Sequence, residues 1–420
     1  MLPALILNKY NNYESTPKSP FLQNYPAYKT CGWGQNRQNG IFGGDSTIKI
    51  YLMKFIHLKI IIIIIIVALI SGFSGSICQA QEKKVSITDL GYTPGSRRNV
   101  IPIVIEALKQ CTSDDAVTIV FPKGRYDFWE DFHARNRFTI GIPMEGLKNV
   151  TIDGDSSEFI FHGNMQIAGV SKCDNIILKN FSVDWDFPFM YQGAYVNSTD
   201  EFIDIEFDTR QYRYVIENEK FFLTGEGWKA APMGYFNLFD RDTKEVLYKT
   251  QDGNNSRLFT SRAVEISPGI VRFYGTPSIK PPKGTYTNLM AGRYITTGID
   301  IRDSKDVYLK DLKIYHALSH AVVGSRSENI TLDNANVLIN EKKGRVVSII
   351  ADNSHFVNCK GLIKIINCAH TGAMDDFINV HGSYSKIDSI IGSIFVVEFI
   401  LGGYSLLFHK NLCSYSYCKL

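Results

Sequence analysis

One short pattern returns along the chain: apolar, any, apolar, any, then Gly, Asn or Asp. It reads Val150-Thr-Ile-Asp-Gly154, Ile176-Ile-Leu-Lys-Asn180, Val307-Tyr-Leu-Lys-Asp311 and Ile330-Thr-Leu-Asp-Asn334. A weaker copy is Ser354-His-Phe-Val-Asn358, and a sixth is Ile378-Asn-Val-His-Gly382. With the second apolar residue as anchor, the copies fall at 152, 178, 309, 332, 356 and 380, in steps of 26, 131, 23, 24 and 24. A fixed period of this size marks a solenoid. One strand-like pair and a turn residue per repeat predict one coil of a right-handed, single-stranded parallel β-helix. Leucine-rich repeats are the rival, but they need several Leu per repeat and an Asn-Leu finish, which this chain lacks.

Other segments complete the outline. Val100 to Cys111 reads as one amphipathic helix, with Val100, Ile103, Val104, Ala107, Leu108 and Cys111 on one face. It predicts a cap on the open end of the solenoid, and the first coils fill the rest of 81–190. The long step of 131 is an insertion over 191–298. Its alternating stretches, Phe202 to Phe207 and Gly269 to Tyr274, predict an antiparallel, barrel-like β-domain. Coils then resume over 299–391. From 392 to 420 the chain turns rich in Phe, Tyr, Ser and Leu, carries three charges and shows no coil pattern, which reads as a truncated or frameshifted tail.

The N-terminal region changes the picture of destination. Met53 is followed by Lys54, His57 and Lys59, then an unbroken apolar run from Ile60 to Ile70 and a small, polar end at Cys78-Gln79-Ala80. This is the layout of a secretory signal over 53–80. The run is shorter than the roughly 20 residues of a membrane span. It predicts export to the periplasm, cell surface or medium, with no stable membrane span after cleavage. Residues 1–52 would then be a spurious upstream extension, with the true start at Met53.

Composition excludes little else. The chain has 420 residues, 45% apolar and 21% charged, which is ample for a large core. Its net charge of +3 is scattered, which argues against a nucleic-acid partner. Cys111, Cys173, Cys359 and Cys368 form no tight C-x-x-C pair, so they read as interior thiols and not as a zinc site. Oligomeric state leaves no signal.

The repeat makes one geometric statement about chemistry. Asp352 lies two residues before Ser354, and Asp376 two before Ile378, so the acids are 24 residues apart, one coil step. Equivalent positions in a parallel stack sit about 4.8 Å apart. Asp375 adds a third acid. Such a cluster is costly unless it has a use or a cation. Three readings stay open from spacing alone: paired carboxylates for glycoside cleavage, a hard-cation site, or solvated turn residues. His355 and His381 flank the cluster and could bind substrate or be structural, as could His370. Asp184-Trp185-Asp186 is a candidate sugar platform, an aromatic face between two acids, or a packed turn.

At these residues a resemblance appears. Thr371-Gly-Ala-Met-Asp-Asp-Phe-Ile-Asn-Val-His-Gly382 resembles the signature of family 110 glycoside hydrolases, bacterial α-1,3-galactosidases within the pectin-lyase-like superfamily. Ala351 to Gly361 and Val183 to Pro188 resemble it too, and the likeness runs from about Asp89 to about Ile391. The resemblance implies an exo-acting, inverting O-glycosyl hydrolase that takes terminal α-1,3-galactose, as on blood-group B glycans. It implies Asp375 as general acid, Asp352 and Asp376 as general base alone or jointly, and no nucleotide or metal cofactor. Members of that family continue past the end of this chain. A polygalacturonase-like hydrolase also groups three Asp, but its Gly-His-Gly and Arg-x-Lys motifs are missing from the expected places. A non-catalytic glycan-binding or adhesin β-helix is the alternative from another class.

Overall fold

The alternating pattern puts every second side chain on one side of a strand, and the Asn or Asp that follows bends the chain. The computed structural model describes residues 83–111, 115–133, 138–233, 236–292, 294–391 and 394–400, with isolated backbone at 6–7 and 59; side chains after Ser383 are not described. The expected extension (1–52), signal (53–80) and most of the tail therefore lie outside the described residues. The architecture below belongs to the compact unit that contains Gln81–Leu420.

Coils stack as three parallel faces. The first face joins Lys83–Ser86 and Val117–Val120, then the leading halves of Lys148–His162, Asp174–Trp185, Lys305–Ile314 and Glu328–Val337, then Lys360–Ile366. Ile119, Ile152, Leu178, Leu309 and Leu332 lie in register along it, each nearly or fully buried. Burying a side chain of this size is worth about 1.5–3 kcal/mol, so each ladder is a large share of the fold's stability. Left-handed residues turn the chain onto the second face: Asn180, Asp311 and Asn334 have φ of 62°, 52° and 53°. Their side chains form ladders, with Asn180 donating to Asp153 at 2.9 Å and Asn334 to Asp311 at 2.7 Å. Asn and Asp tolerate this backbone because their short polar side chains bond locally.

On the second face Phe128, Phe161 and Trp185 fall in register and stack inside, with ring centroids 4.6 and 4.9 Å apart. The third face joins Thr139–Glu145, Met165–Ser171, Ile299–Arg302, Val322–Ser325, Ser354–Val357 and Ile378–His381, all parallel.

Here the repeat needs a correction. Anchors 152, 178, 309 and 332 share the first face, but 356 and 380 belong to the third, where Phe356 pairs with Gly324 and Val380. On the first face the partner of Leu332 is Ile365, and the step between them is longer than those from Ile152 to Leu178 and from Leu309 to Leu332. The pattern misleads because both faces alternate apolar residues and end at a left-handed Asn, at φ 53° for Asn334 and 54° for Asn358. Among the described residues the last parallel strand is Ile378–His381. Tyr384–Ile391, expected within a coil, pairs antiparallel with Ile394–Ile400.

The helix Ile101–Leu108 caps the first coils, burying Ile101, Val104, Ala107 and Leu108, with its N-terminal end bonded to the Asn99 side chain. The insertion forms an antiparallel sheet ordered 238–239, 286–290, 190–198, 202–206, 270–274 and 263–267. A smaller sheet, Arg213–Glu217, Lys220–Thr224 and Lys229–Ala230, packs on it through Phe207, Phe221 and Phe273. Cys111 and Cys173 are buried and Cys359 and Cys368 half-buried, all as free thiols. Among the described residues no helix is long and apolar enough to cross a membrane.

Candidate active site

Register on the third face assembles the carboxylates. Val322 pairs with Ser354 and Ser354 with Ile378. The residues two before each strand therefore stack in turn: His320, Asp352 and Asp376. Main-chain bonds extend the ladder outward to them, with Ala321 N–H donating to Asp352 and Asn353 N–H to Asp376. Asp352, Asp375 and Asp376 bring carboxylate oxygens within 4.8 Å of one another.

The three acids differ in setting. Asp352 is 4% exposed, whereas Asp375 and Asp376 are open to solvent. His355 Nδ1 donates to Asp352 at 2.6 Å, and His320 Nε2 lies 3.8 Å from the same oxygen. Burial, helped by His355 and opposed by Asp352, pushes His320 down to about 4, so its ring is neutral near pH 7. Asp375 accepts from the Asp376 backbone N–H at 3.1 Å. His381 Nε2 stands 2.9 Å from His355 Nε2. The structure thus brings Asp352, Asp375, Asp376, His355 and His381 together. It can do acid–base chemistry: a fixed, inner carboxylate faces an exposed one across a short gap. His320, Asp352 and His355 also offer three ligand atoms within 4.8 Å, a set that could hold a metal ion.

The Asp184-Trp185-Asp186 platform is a correction. Trp185 is fully buried, donates its indole N–H to the Gly163 carbonyl at 3.0 Å, and packs edge-on to His316. Val183 and Trp185 follow Phe181 at period two, so all three point inward. Asp184 is buried in ion pairs with Arg345 at 2.5 Å and Lys343 at 2.7 Å. Burial pushes its carboxyl up, but Arg345 and Lys343 outweigh it and hold it below the usual range. Asp186 bonds Arg125 at 2.8 Å and lines a cleft of about 1430 Å³ with Phe187, Arg213, Glu226 and Lys343. None of the three clustered acids lines that cleft, and the chemistry argues for the site at the acids. His370 stacks on Phe377 at 4.2 Å, and burial lowers its pKa.

Sequence reasoning missed His320 and Tyr294. The Tyr294 ring is 44% exposed and stacks on His320 at 5.6 Å, giving an aromatic face beside Asp352. His320 is 32 residues before Asp352, a longer coil that the 24-residue period does not reach.

Residues 192–287 match the family model GLAA-B beta-barrel domain I, within the inserted sheet. An alpha-1,3-galactosidase B of Bacteroides thetaiotaomicron is 38% identical over 74% of this chain and 53% of its own length. An alpha-1,3-galactosidase A of Shewanella woodyi is 35% identical over 74% and 53%. The chain thus spans about half the length of the curated relatives it matches. A family 28 exopolygalacturonase of Yersinia enterocolitica aligns over 72% of this chain and 53% of its own at 8% identity, with a TM-score of 0.24, too low to carry an argument.

Proposed function

Because this chain is a homologue of the α-1,3-galactosidases, we propose that it carries the acid–base centre of an exo-acting glycoside hydrolase that removes terminal α-1,3-linked galactose. The observation that supports this most is the three-carboxylate cluster, with Asp352 buried and held by His355 while Asp375 is exposed. Asp375 acts as general acid on the glycosidic oxygen. Asp352, with Asp376, takes a proton from the attacking water. Tyr294 supplies the apolar face on which a galactose ring stacks. His355 and His381 line the same opening, where they orient Asp352 and meet sugar hydroxyls.

The mechanism in this reading is inverting, and the substrates are galactose-terminated oligosaccharides or glycoprotein glycans of blood-group B type. An inverting pair needs about 6.5–9.5 Å for a water. The acids stand closer than that, at under 4.8 Å. Asp375 is exposed and Asp352 buried, so in this reading Asp375 is the acid with room to swing outward for substrate and water. The segment 53–80 supports export, to the periplasm, cell surface or medium.

The test is incubation of the full chain with a blood-group B trisaccharide, a linear α-1,3-galactobiose, and α-1,4- and α-1,6-linked controls. Free galactose from the α-1,3 substrates alone is the expected result. Binding without release would leave a glycan-binding β-helix, and release from homogalacturonan would favour a polygalacturonase-like enzyme.

A further inference from the structure

Two histidines beside Asp352 have tautomers fixed by partners that can only accept. His355 Nδ1 lies 2.6 Å from an Asp352 oxygen, and His381 Nδ1 lies 3.0 Å from the Gly382 carbonyl. Neither a carboxylate nor a carbonyl has a proton to give, so each Nδ1 carries the hydrogen. In a neutral ring each Nε2 then presents a bare lone pair. These two Nε2 atoms face each other 2.9 Å apart, with the rings at 83°. Two such nitrogens at that distance need a positive centre between them, either a shared proton or a metal ion.

We propose that His355 and His381 form a binding site for one divalent transition-metal ion of the zinc or copper(II) class, held by the two Nε2 atoms. Imidazole nitrogen suits these ions. Metal–nitrogen bonds of about 2.0–2.1 Å would span the observed gap with roughly a right angle at the ion. Asp352 completes the device from behind. A carboxylate on the far nitrogen of a ligating histidine fixes its tautomer and makes the ring a better donor. Because His381 is exposed, the ion has an open path from solvent and keeps positions for water or a sugar hydroxyl. Bound there, it lies beside the three acids. The inference does not depend on the hydrolase reading, because binding is measured directly.

The experiment is calorimetric titration of the metal-free full chain with zinc ion near neutral pH, with copper(II) electron paramagnetic resonance as a second readout. One ion per chain and nitrogen couplings from two imidazoles are expected. His381→Ala removes an exposed ligand, so it should melt like the parent while its zinc affinity falls at least tenfold. Asp352→Asn should weaken binding by about 10–100-fold, as loss of an orienting carboxylate does. His133→Ala, at an exposed histidine elsewhere, should bind as the parent does. Absence of binding by the parent at millimolar zinc would overturn the site, as would undiminished binding by both His381→Ala and His355→Gln.

Discussion

The backbone N–H of Asn353 donates to the carbonyl of Asp376 at 2.9 Å. This bond sets Asp352 one coil from Asp376, so the spacing between the two carboxylates is a property of the backbone ladder and not of side-chain choice. It also makes the acids unequal: Asp352 is closed in by the coil before it, where Ala321 N–H bonds its carbonyl, and Asp376 faces outward.

Asp375→Asn should lower kcat on an unactivated α-1,3-galactobiose by about 10²–10⁴. An aryl galactoside with a good leaving group needs little acid help, so the variant should recover much of its rate there. Asp352→Asn should stay slow on both substrates. Steady-state kinetics on the pair of substrates separates these roles, and equal losses for both variants on both substrates would refute the assignment.

The first sugar released should be β-galactose, as inversion requires. Proton NMR of the anomeric signals in the first minutes reads this before mutarotation blurs it. Early α-galactose would mean retention, and the base roles of Asp352 and Asp376 would then fall.

Aromatic substitutions should split by location. Tyr294→Ala should raise KM and leave the melting temperature close to the parent, since its ring is at the surface. Trp185→Ala should cost about 3–5 kcal/mol of stability, because it empties a position in the interior stack. Arg345→Met should also destabilise, because it leaves the buried Asp184 with Lys343 as its remaining cation. Denaturant unfolding of each variant beside its KM is the measurement.

Acid should destabilise the fold through His316. Its Nδ1–H donates to the Ser348 carbonyl at 2.9 Å and its Nε2 accepts from Phe189 N–H at 3.1 Å. Burial first, and then Arg345, push its pKa down to about 4. The folded ring is neutral while the unfolded ring gains a proton below about 6.5, so its contribution is complete above that value. It is lost as pH falls towards 4, at up to about 1.4 kcal/mol per pH unit. His162 works in the opposite sense. Burial lowers its pKa, but bonds to Asp127 and Glu226 outweigh this and raise it, so its contribution fades as pH rises through the folded value. His316→Gln should flatten the acid limb of the melting profile between pH 4 and 6.5. An unchanged limb would show that other groups carry it.

What the sequence determined by itself was whatever repeats locally. Alternating apolar residues closed by Asn or Asp specify strand and bend, because a period of two buries one side and a left-handed backbone favours those residues. That made the solenoid, the inserted β-domain and the one-coil offset of Asp352 and Asp376 legible. Only the tertiary structure decided which face each copy joins, since first and third faces write the same pattern. It also decided burial. Trp185 reads as a sugar platform until Phe128 and Phe161 stack beneath it, and Asp184 as a ligand until Arg345, 161 residues away, reaches it. His320 joins the acids, and Tyr294 their rim, across a coil of irregular length. The physical reason is common to all of these. Local pattern fixes which way a side chain points, but exposure and charge depend on what long-range packing brings against it.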